Sequence, residues 1–222
     1  MMHSGYDDET LKNDIALLEV ETEFTFNKYV KPICLPDEKA VMPPGDDRQW
    51  LWGPYDTTCK IAGWGAITDR GPNRVDDQME AYVPIVTTCD PNNTKLICAG
   101  YEEGGFDTCA GDSGGPFVCV NESNKNFIYL AGVTSGSYKV NGTESERYRC
   151  GTKGTYGTYT RTTHYILWIE SIILKNVIPN DTDEIVFTKK CPGVLCLPSN
   201  RCAVRNGIPE CLNAEDELDS SD

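Results

Sequence analysis

The residues best suited to do chemistry lie in one short segment that is rich in glycine. It runs Asp107-Thr-Cys-Ala-Gly-Asp-Ser-Gly-Gly-Pro116, with Ser113 near its centre. A serine acts as a nucleophile when it is exposed, has a base beside it, and faces donors for the developing oxyanion. The glycines let the backbone turn sharply, so that main-chain N–H groups can point at one spot. Taken alone, the segment also fits an ordinary glycine-rich turn.

The elements that must position this segment are short and bounded by turns. Apolar runs between clusters of Gly, Asp, Asn and Pro predict strands over residues 15–20, 59–64, 81–86, 117–120, 128–133 and 155–160. This pattern is typical of an all-β sandwich or barrel. In residues 164–175, apolar side chains recur at helical spacing, with Thr162 or Thr163 as a cap, and predict one amphipathic helix on the β-core.

Composition narrows the class of protein. The 222 residues carry 20 Lys and Arg against 34 Asp and Glu, a net charge of −14, which argues against nucleic acid or an anionic membrane surface as partner. The apolar runs are too short to span a bilayer. Eleven cysteines with two histidines and no paired zinc pattern indicate disulfides in an oxidising compartment. Four N-x-S/T sequons, at Asn92, Asn121, Asn141 and Asn180, fit a secreted glycoprotein.

Several motifs accompany the serine loop in a fixed order. They are Asn13-Asp-Ile-Ala-Leu-Leu18, Pro32-Ile-Cys-Leu-Pro36, Ile61-Ala-Gly-Trp-Gly65, Leu96-Ile-Cys-Ala-Gly100 and Gly157-Thr-Tyr-Thr-Arg161. In order and spacing, residues 3–175 resemble the chymotrypsin-like serine proteases, peptidase family S1. The resemblance implies a trypsin-like double β-barrel, with the complete second barrel, only the last part of the first, and a C-terminal helix. The first residues show no signal-peptide pattern, and we expect that an upstream part of the protein is missing here.

The resemblance implies a role for each matching residue. Ser113 matches the nucleophile, and the backbone N–H groups of Gly111 and Ser113 match the oxyanion hole. Asp14 matches the carboxylate that orients the catalytic base. Asp112 matches the residue that pairs with the new N-terminus when the zymogen is activated. These roles describe a serine endopeptidase that acts on protein substrates and needs no cofactor for catalysis.

The resemblance also implies the substrate preference. Asp107 matches the base of the primary specificity pocket, and the residues matching its walls are Ser135, Ser137 and Gly157. A buried carboxylate there would pair with a substrate Arg or Lys, so the implied cleavage is trypsin-like. Gly136 stands where the family usually has Trp, and Ser137 where Gly is usual. We therefore expect weaker or altered binding of the residues that flank the scissile bond.

One departure from the family affects catalysis directly. The catalytic His lies roughly 45 residues before the Asp in this family, whereas only thirteen residues precede Asp14. His3 and His164 both fall at positions where the family has no catalytic residue. We expect the 222-residue chain to be inactive by itself and its parent protein to be the protease. A non-catalytic homologue that binds or regulates remains the alternative, and recruitment of a partner by the acidic C-terminal part is a third.

Family resemblance also pairs the cysteines. It joins Cys59 to Cys119, Cys89 to Cys98 and Cys109 to Cys150. Cys34 is left over; its counterpart in mosaic proteases links to an upstream pro-region, and a buried free thiol is the alternative.

From Cys191 onward the composition becomes cysteine-rich and acidic. This part resembles a degenerate LDL-receptor class A repeat, which implies the pairs Cys191–Cys202 and Cys196–Cys211. Oxygen ligands for calcium would be Asn206, Glu210, Asp216 and Glu217. An acidic, solvated tail with two disulfides is the alternative. The predicted organisation is a partial peptidase domain over 1–176, a linker over 177–190 and this module over 191–222.

Overall fold

The computed structural model describes residues 1–36, 59–68, 75–86, 95–121, 124–140, 149–177, 187–189, 194–195 and 202–203. The chain forms two compact units, one of Met1–Ala16 with Pro43–Thr162 and one of Leu17–Met42 with Thr163–Asp222. The predicted boundaries at 176 and 190 stay predictions. No helix in the described part of the chain is long and apolar enough to cross a membrane.

A curled, seven-stranded antiparallel sheet forms the first unit. Its strands are β2 (Cys59–Gly63), β3 (Met79–Tyr82), β4 (Ile85–Val86), β5 (Leu96–Ala99), β6 (Pro116–Asn121), β7 (Asn124–Lys139) and β8 (Thr155–Arg161). Their order across the sheet is β3-β2-β6-β7-β8-β5-β4. The all-β expectation, a half-barrel in the trypsin-like manner, is confirmed.

The core of this unit is built from alternate side chains of the sheet. Phe117 of β6 and Tyr159 of β8 are fully buried and their rings stack with centroids 4.4 Å apart. Val83, between β3 and β4, and Ile97 of β5 pack into the same cluster. Burial of these large side chains supplies most of the driving force for the sheet to curl around them.

The predicted strand over residues 15–20 is wrong. Only Ala16 forms a bridge there, to Met2, and Leu18 is 90% exposed. An extended segment becomes a strand when a neighbour satisfies its N–H and C=O groups, and hydrophobicity alone does not supply one. The predicted strand over 81–86 is interrupted at Val83 and Pro84, whose ring nitrogen cannot donate to a ladder.

The second unit holds the predicted helix. A 3₁₀ turn over Thr162–Tyr165 leads into α1 (Ile166–Val177). Tyr165 and Ile169 are buried, as the apolar spacing predicts, and Ile166 is buried as well. Four short strands lie in the same unit: β1 (Leu35–Pro36) pairs with β10 (Val194–Leu195), and β9 (Phe187–Lys189) with β11 (Cys202–Ala203). Cys34, just before β1, is only 2% exposed.

Candidate functional site

Ser113 is exposed at the tip of two successive tight turns. The N–H of Asp112 donates to the carbonyl of Cys109 at 2.9 Å, and the N–H of Gly115 donates to the carbonyl of Asp112 at 2.8 Å. Gly111 has a φ of 103°, a conformation that side-chain-bearing residues rarely adopt. The glycine pattern therefore serves the purpose expected from the sequence, which is to present the serine on a sharply folded loop.

Strand β7 is hydrogen-bonded both to the Ser113 loop and to Asp14. The N–H of Gly114 donates to the carbonyl of Thr134, and the N–H of Thr134 donates to the carbonyl of Gly115, each at 2.9 Å. The next residue along, Ser135, donates its hydroxyl to Asp14 Oδ2 at 2.7 Å. The structure thus fixes the serine loop and the expected orienting carboxylate to two consecutive residues of one strand.

A β-bulge makes this arrangement possible. Across β7 and β8, Thr134 pairs with Tyr159 and Gly136 pairs with Thr158, so that Ser135 is the extra residue. Asp14 is held a second time, because the Thr160 hydroxyl donates to its backbone carbonyl at 2.7 Å. The bulge aims Ser135 at Asp14. Sequence reasoning placed Ser135 in the pocket wall and missed Thr160.

The structure describes the surroundings of both histidines. The Nδ1 of His3 accepts a 3.1 Å hydrogen bond from the N–H of Gly5, inside its own turn. A triad histidine uses Nδ1 as the donor to the orienting carboxylate, and here that atom is an acceptor. His164 lies in the second unit, exposed, with its ring edge-on to Tyr165.

Asp107 is the second candidate carboxylate, and it is half-buried. Its Oδ1 accepts from the N–H of Thr108 at 2.8 Å and its Oδ2 accepts from the N–H of Gly151 at 2.9 Å. Burial raises the pKa of Asp107 to about 6, with a smaller contribution from the charge of Asp112, although the two N–H donors act in the opposite direction. A buried carboxylate in this state gains most from a cationic partner.

Two of the expected pocket-wall residues are Gly157, which approaches Asp107 closely, and Ser137. They are direct partners across β7 and β8. A side-chain carbon at Gly157 would lie 2.7 Å from Asp107 Oδ1 and 2.5 Å from the hydroxyl of Tyr159. Gly157 is therefore required by the close approach of these two groups. Burial raises the pKa of Tyr159, which keeps its phenol neutral near the carboxylate.

Asp112, the residue before Ser113, lines a cavity of about 390 Å³. Its Oδ1 accepts from the N–H of Gly65 at 2.8 Å and its Oδ2 accepts from the N–H of Cys109 at 2.9 Å. Apolar side chains such as Ile61, Met79 and Phe106 form much of the wall, to which Asp107 also contributes. Among the described residues that line this cavity none is basic. The site suits a cationic group carried on an apolar segment.

Two disulfide bonds frame the site. Cys109–Cys150 ties the serine loop to the residue before Gly151, and Cys59–Cys119 joins β2 to β6. Cys98 is also disulfide-bonded. Both complete pairs join the cysteines that the resemblance matched. Cys89, the expected partner of Cys98, lies outside the described residues.

Gly136 has a neighbour that the sequence did not predict. Leu11, with a φ of 53°, places its Cδ1 3.2 Å from where a side-chain carbon of Gly136 would be. An aliphatic side chain from the N-terminal residues therefore stands beside the position where the family usually carries an indole. No local pattern identifies this contact, because it joins residues far apart in the chain.

Of the predicted glycosylation sites, module cysteines and calcium ligands, the structure describes two. Asn121 ends β6 and Cys202 begins β11. The remaining sequons, module cysteines and candidate calcium ligands lie outside the described residues: Asn92, Asn141, Asn180, Cys191, Cys196, Cys211, Asn206, Glu210, Asp216 and Glu217. Within the described part of the chain, no group of three or more His, Cys, Asp and Glu could hold a metal ion. Calcium binding stays a prediction.

Comparison with known proteins identifies relatives. The sequence model of the family described as Trypsin matches residues 1–169. A venom serine protease, Bi-VSP, of Bombus ignitus is 34% identical over 177 residues, 75% of this chain and 43% of its own length. Serine protease 56 of Mus musculus is 35% identical over 235 residues, 95% of this chain and 35% of its own length. Serine protease 56 of Homo sapiens is 34% identical over 76% of this chain and 26% of its own length. The chain thus spans less than half the length of each.

Proposed function

The chain belongs to the trypsin family of serine proteases, and on that premise we propose that its parent protein is an endopeptidase cleaving after Arg or Lys. The observation that carries the proposal is the half-buried Asp107, with Gly157 close to its carboxylate and Ser137 opposite Gly157. A substrate guanidinium or ammonium entering there would replace the hydration that burial removes from the carboxylate. Within the described residues, the hydrogen bonds to the Asp107 carboxylate come from the backbone N–H groups of Thr108 and Gly151 and not from a basic side chain.

Catalysis would follow the charge flow of a serine triad. Ser113 Oγ attacks the substrate carbonyl, a histidine takes the serine proton, and Asp14 orients that histidine through Nδ1. Ser135, bonded to Asp14, is the positioning residue behind the carboxylate. The N–H groups of Gly111 and Ser113 would receive the oxyanion, and no cofactor takes part.

Asp112 has a separate role in this proposal. The cavity beside it would receive the ammonium group of a newly cleaved N-terminus, whose apolar side chains pack against Ile61 and Met79. Charge pairing at Asp112 would then hold the loop before Ser113 in its working shape. The disulfides further suggest extracellular work, and Cys34 is the proposed link to an upstream pro-region.

The 222-residue chain is proposed to be inactive by itself, since neither His3 nor His164 matches the sequence position at which the family carries its catalytic base. A serine without its base remains a weak nucleophile, because the triad residues act as a unit. The same observation supports the second candidate, a non-catalytic homologue that binds protein substrates without cleaving them.

A fluorophosphonate probe, which reacts with activated serines, separates the two candidates. The native protein is captured with an antibody to residues 204–222, treated with the probe and mapped by mass spectrometry. We expect labelling of the Ser113 peptide in the native protein and none in the recombinant 222-residue chain. Native protein that cleaves no Arg or Lys substrate and leaves Ser113 unlabelled would support the binding homologue instead.

A further inference from the structure

Two hydroxyl groups on β7 are buried without a hydrogen-bond partner among the described residues. They are Oγ1 of Thr134 and Oγ of Ser137. Thr134 is only 6% exposed, and its backbone is already engaged with the serine loop. Buried polar atoms are nearly always hydrogen-bonded, and those left over at a site commonly face a ligand or water. What each hydroxyl faces follows from the strand register.

Ser137 lies on the face of the sheet that Asp107 approaches. It lies directly opposite Gly157 on β8, and residues directly opposite in an antiparallel pair project from the same face of the sheet. A side-chain carbon on Gly157 would point at Asp107 Oδ1. The Ser137 hydroxyl therefore projects from the face that holds the carboxylate.

Thr134 lies on that same face. It is opposite Tyr159, which is two residues from Gly157 and so shares its face. The Tyr159 hydroxyl lies 3.3 Å from the Thr108 hydroxyl, beside Asp107. Because Ser135 is the extra residue of the bulge, Thr134 and Ser137 share this face although they are three positions apart.

The number of N–H donors on a bound side chain determines whether the hydroxyls of Thr134 and Ser137 favour arginine or lysine. A guanidinium offers five N–H groups in a plane, and pairing with a carboxylate uses two of them. A lysine ammonium is compact and carries three donors on one atom. Resting on the proposed role of Asp107, we propose that Thr134 and Ser137 accept hydrogen bonds from the remaining N–H groups of a bound guanidinium, and that the pocket selects arginine over lysine.

The test compares two small cations on the full 222-residue chain, so that it does not depend on catalysis. Phenylguanidine and benzylamine carry the two head groups on similar rings, and calorimetry gives the dissociation constant of each. The wild-type chain binds phenylguanidine more tightly. Thr134→Val, which removes only the hydroxyl, weakens phenylguanidine about 10-fold and benzylamine less than 3-fold. Ser137→Gly acts in the same direction.

Two controls keep the result interpretable. Thr158→Val removes a buried threonine hydroxyl from the opposite face of β8 and leaves both dissociation constants unchanged. Thr134→Val keeps or raises the melting temperature, because the lost hydroxyl has no protein partner in the described residues. A lowered melting temperature would show a structural role instead and overturn the inference.

The outcomes also separate this inference from the proposed function. If Asp107→Asn abolishes binding of both cations while Thr134→Val and Ser137→Gly change neither, the selectivity inference is wrong and the cation pocket stands. Equal weakening of both cations by Thr134→Val overturns the inference as well. If the wild-type chain binds neither cation, the pocket and the inference fall together.

Discussion

The hydroxyl of Ser135 donates to Oδ2 of Asp14 at 2.7 Å, and this contact ties the N-terminal residues to the centre of the sheet. Asp14 lies 121 positions away in sequence, yet it is fixed to the strand that also holds the Ser113 loop. The register irregularity between Thr134 and Gly136 makes the contact possible. The bulge in β7 therefore determines where Asp14, the proposed orienting carboxylate, is held.

Removing this hydroxyl should destabilise the chain. Ser135→Ala leaves a half-buried carboxylate without one of its donors, so we expect a loss of about 1–2 kcal/mol in the free energy of unfolding, measured by urea titration. Ser137→Ala is the matched control, because it deletes a hydroxyl on the same strand with no partner among the described residues. We expect that control to change stability by less than about 0.5 kcal/mol. Equal effects of the two variants would show that the Asp14 contact does not stabilise the fold.

The sequence predicted most of the strands and the helix, but little about which side chains share a face of the sheet. Alternating and apolar runs located β2, β6, β8 and the helix correctly. Neighbouring elements cover the apolar side chains there, as prediction from such runs assumes. The same logic failed over residues 15–20, where only Ala16 has a bridging partner.

The site shows the same limit. Family resemblance selected Asp107 and Ser113, but Thr134 drew no attention, since an isolated threonine in an apolar run carries no signal. Its proposed role depends on a bulge one residue later, on Tyr159 lying across from it, and on Gly157 lying across from Ser137. Register is set by the whole sheet and the turns that join it, which no single segment encodes.

Ionisation of Asp107 should oppose folding. Its pKa is about 6 in the folded protein against an ordinary value of 3.8 for an aspartate, so between these values the folded state holds a proton that the unfolded state has lost. Stability contributed by this group therefore falls as pH rises between about 4 and 6, by about 2–3 kcal/mol in all. In Asp107→Asn this dependence disappears, so the difference in unfolding free energy between the two proteins changes by about 2–3 kcal/mol across this pH range. Urea titrations across that range measure it; parallel curves would contradict the assignment.

Cation binding should show the opposite pH dependence. A cation pairs with the ionised carboxylate, so affinity for phenylguanidine is full above about pH 6 and falls up to tenfold per pH unit below it. Calorimetry in buffers of different ionisation enthalpy should also detect proton release on binding near pH 6. Affinity that does not change between about pH 5 and 7 would place the cation elsewhere.

Gly157 should tolerate no side chain. A methyl group there would lie 2.7 Å from Asp107 Oδ1 and 2.5 Å from the hydroxyl of Tyr159, well inside contact distance. We expect Gly157→Ala to lower phenylguanidine affinity by at least about 10-fold and stability by about 1–3 kcal/mol. Gly136→Ala is the control, because its new methyl meets the flexible end of Leu11 at 3.2 Å. A Gly157→Ala chain with unchanged affinity would show that the cation does not approach Asp107 from this strand.

The two complete disulfides should stabilise the fold by similar amounts but contribute differently to phenylguanidine affinity. They close loops of 41 and 60 residues, and chain entropy gives about 4 kcal/mol for each. Cys109–Cys150 adjoins two hydrogen bonds to the candidate carboxylates, from the Gly151 N–H to Asp107 and from the Cys109 N–H to Asp112. Cys59–Cys119 touches neither carboxylate, since it lies between β2 and β6.

Replacing each pair by alanines separates these effects. Both double variants should unfold at lower urea concentration by similar amounts, whereas only Cys109→Ala with Cys150→Ala should weaken phenylguanidine binding, by about 10-fold, as Gly151 loses its fixed position over Asp107. Calorimetry at a temperature where both variants are folded makes the comparison. If the Cys59 and Cys119 variant loses affinity equally, the pocket depends on the rigidity of the whole sheet. If neither loses affinity, the hydrogen bonds of Asp107 are sufficient to keep the pocket in shape, and the disulfide beside it contributes only stability.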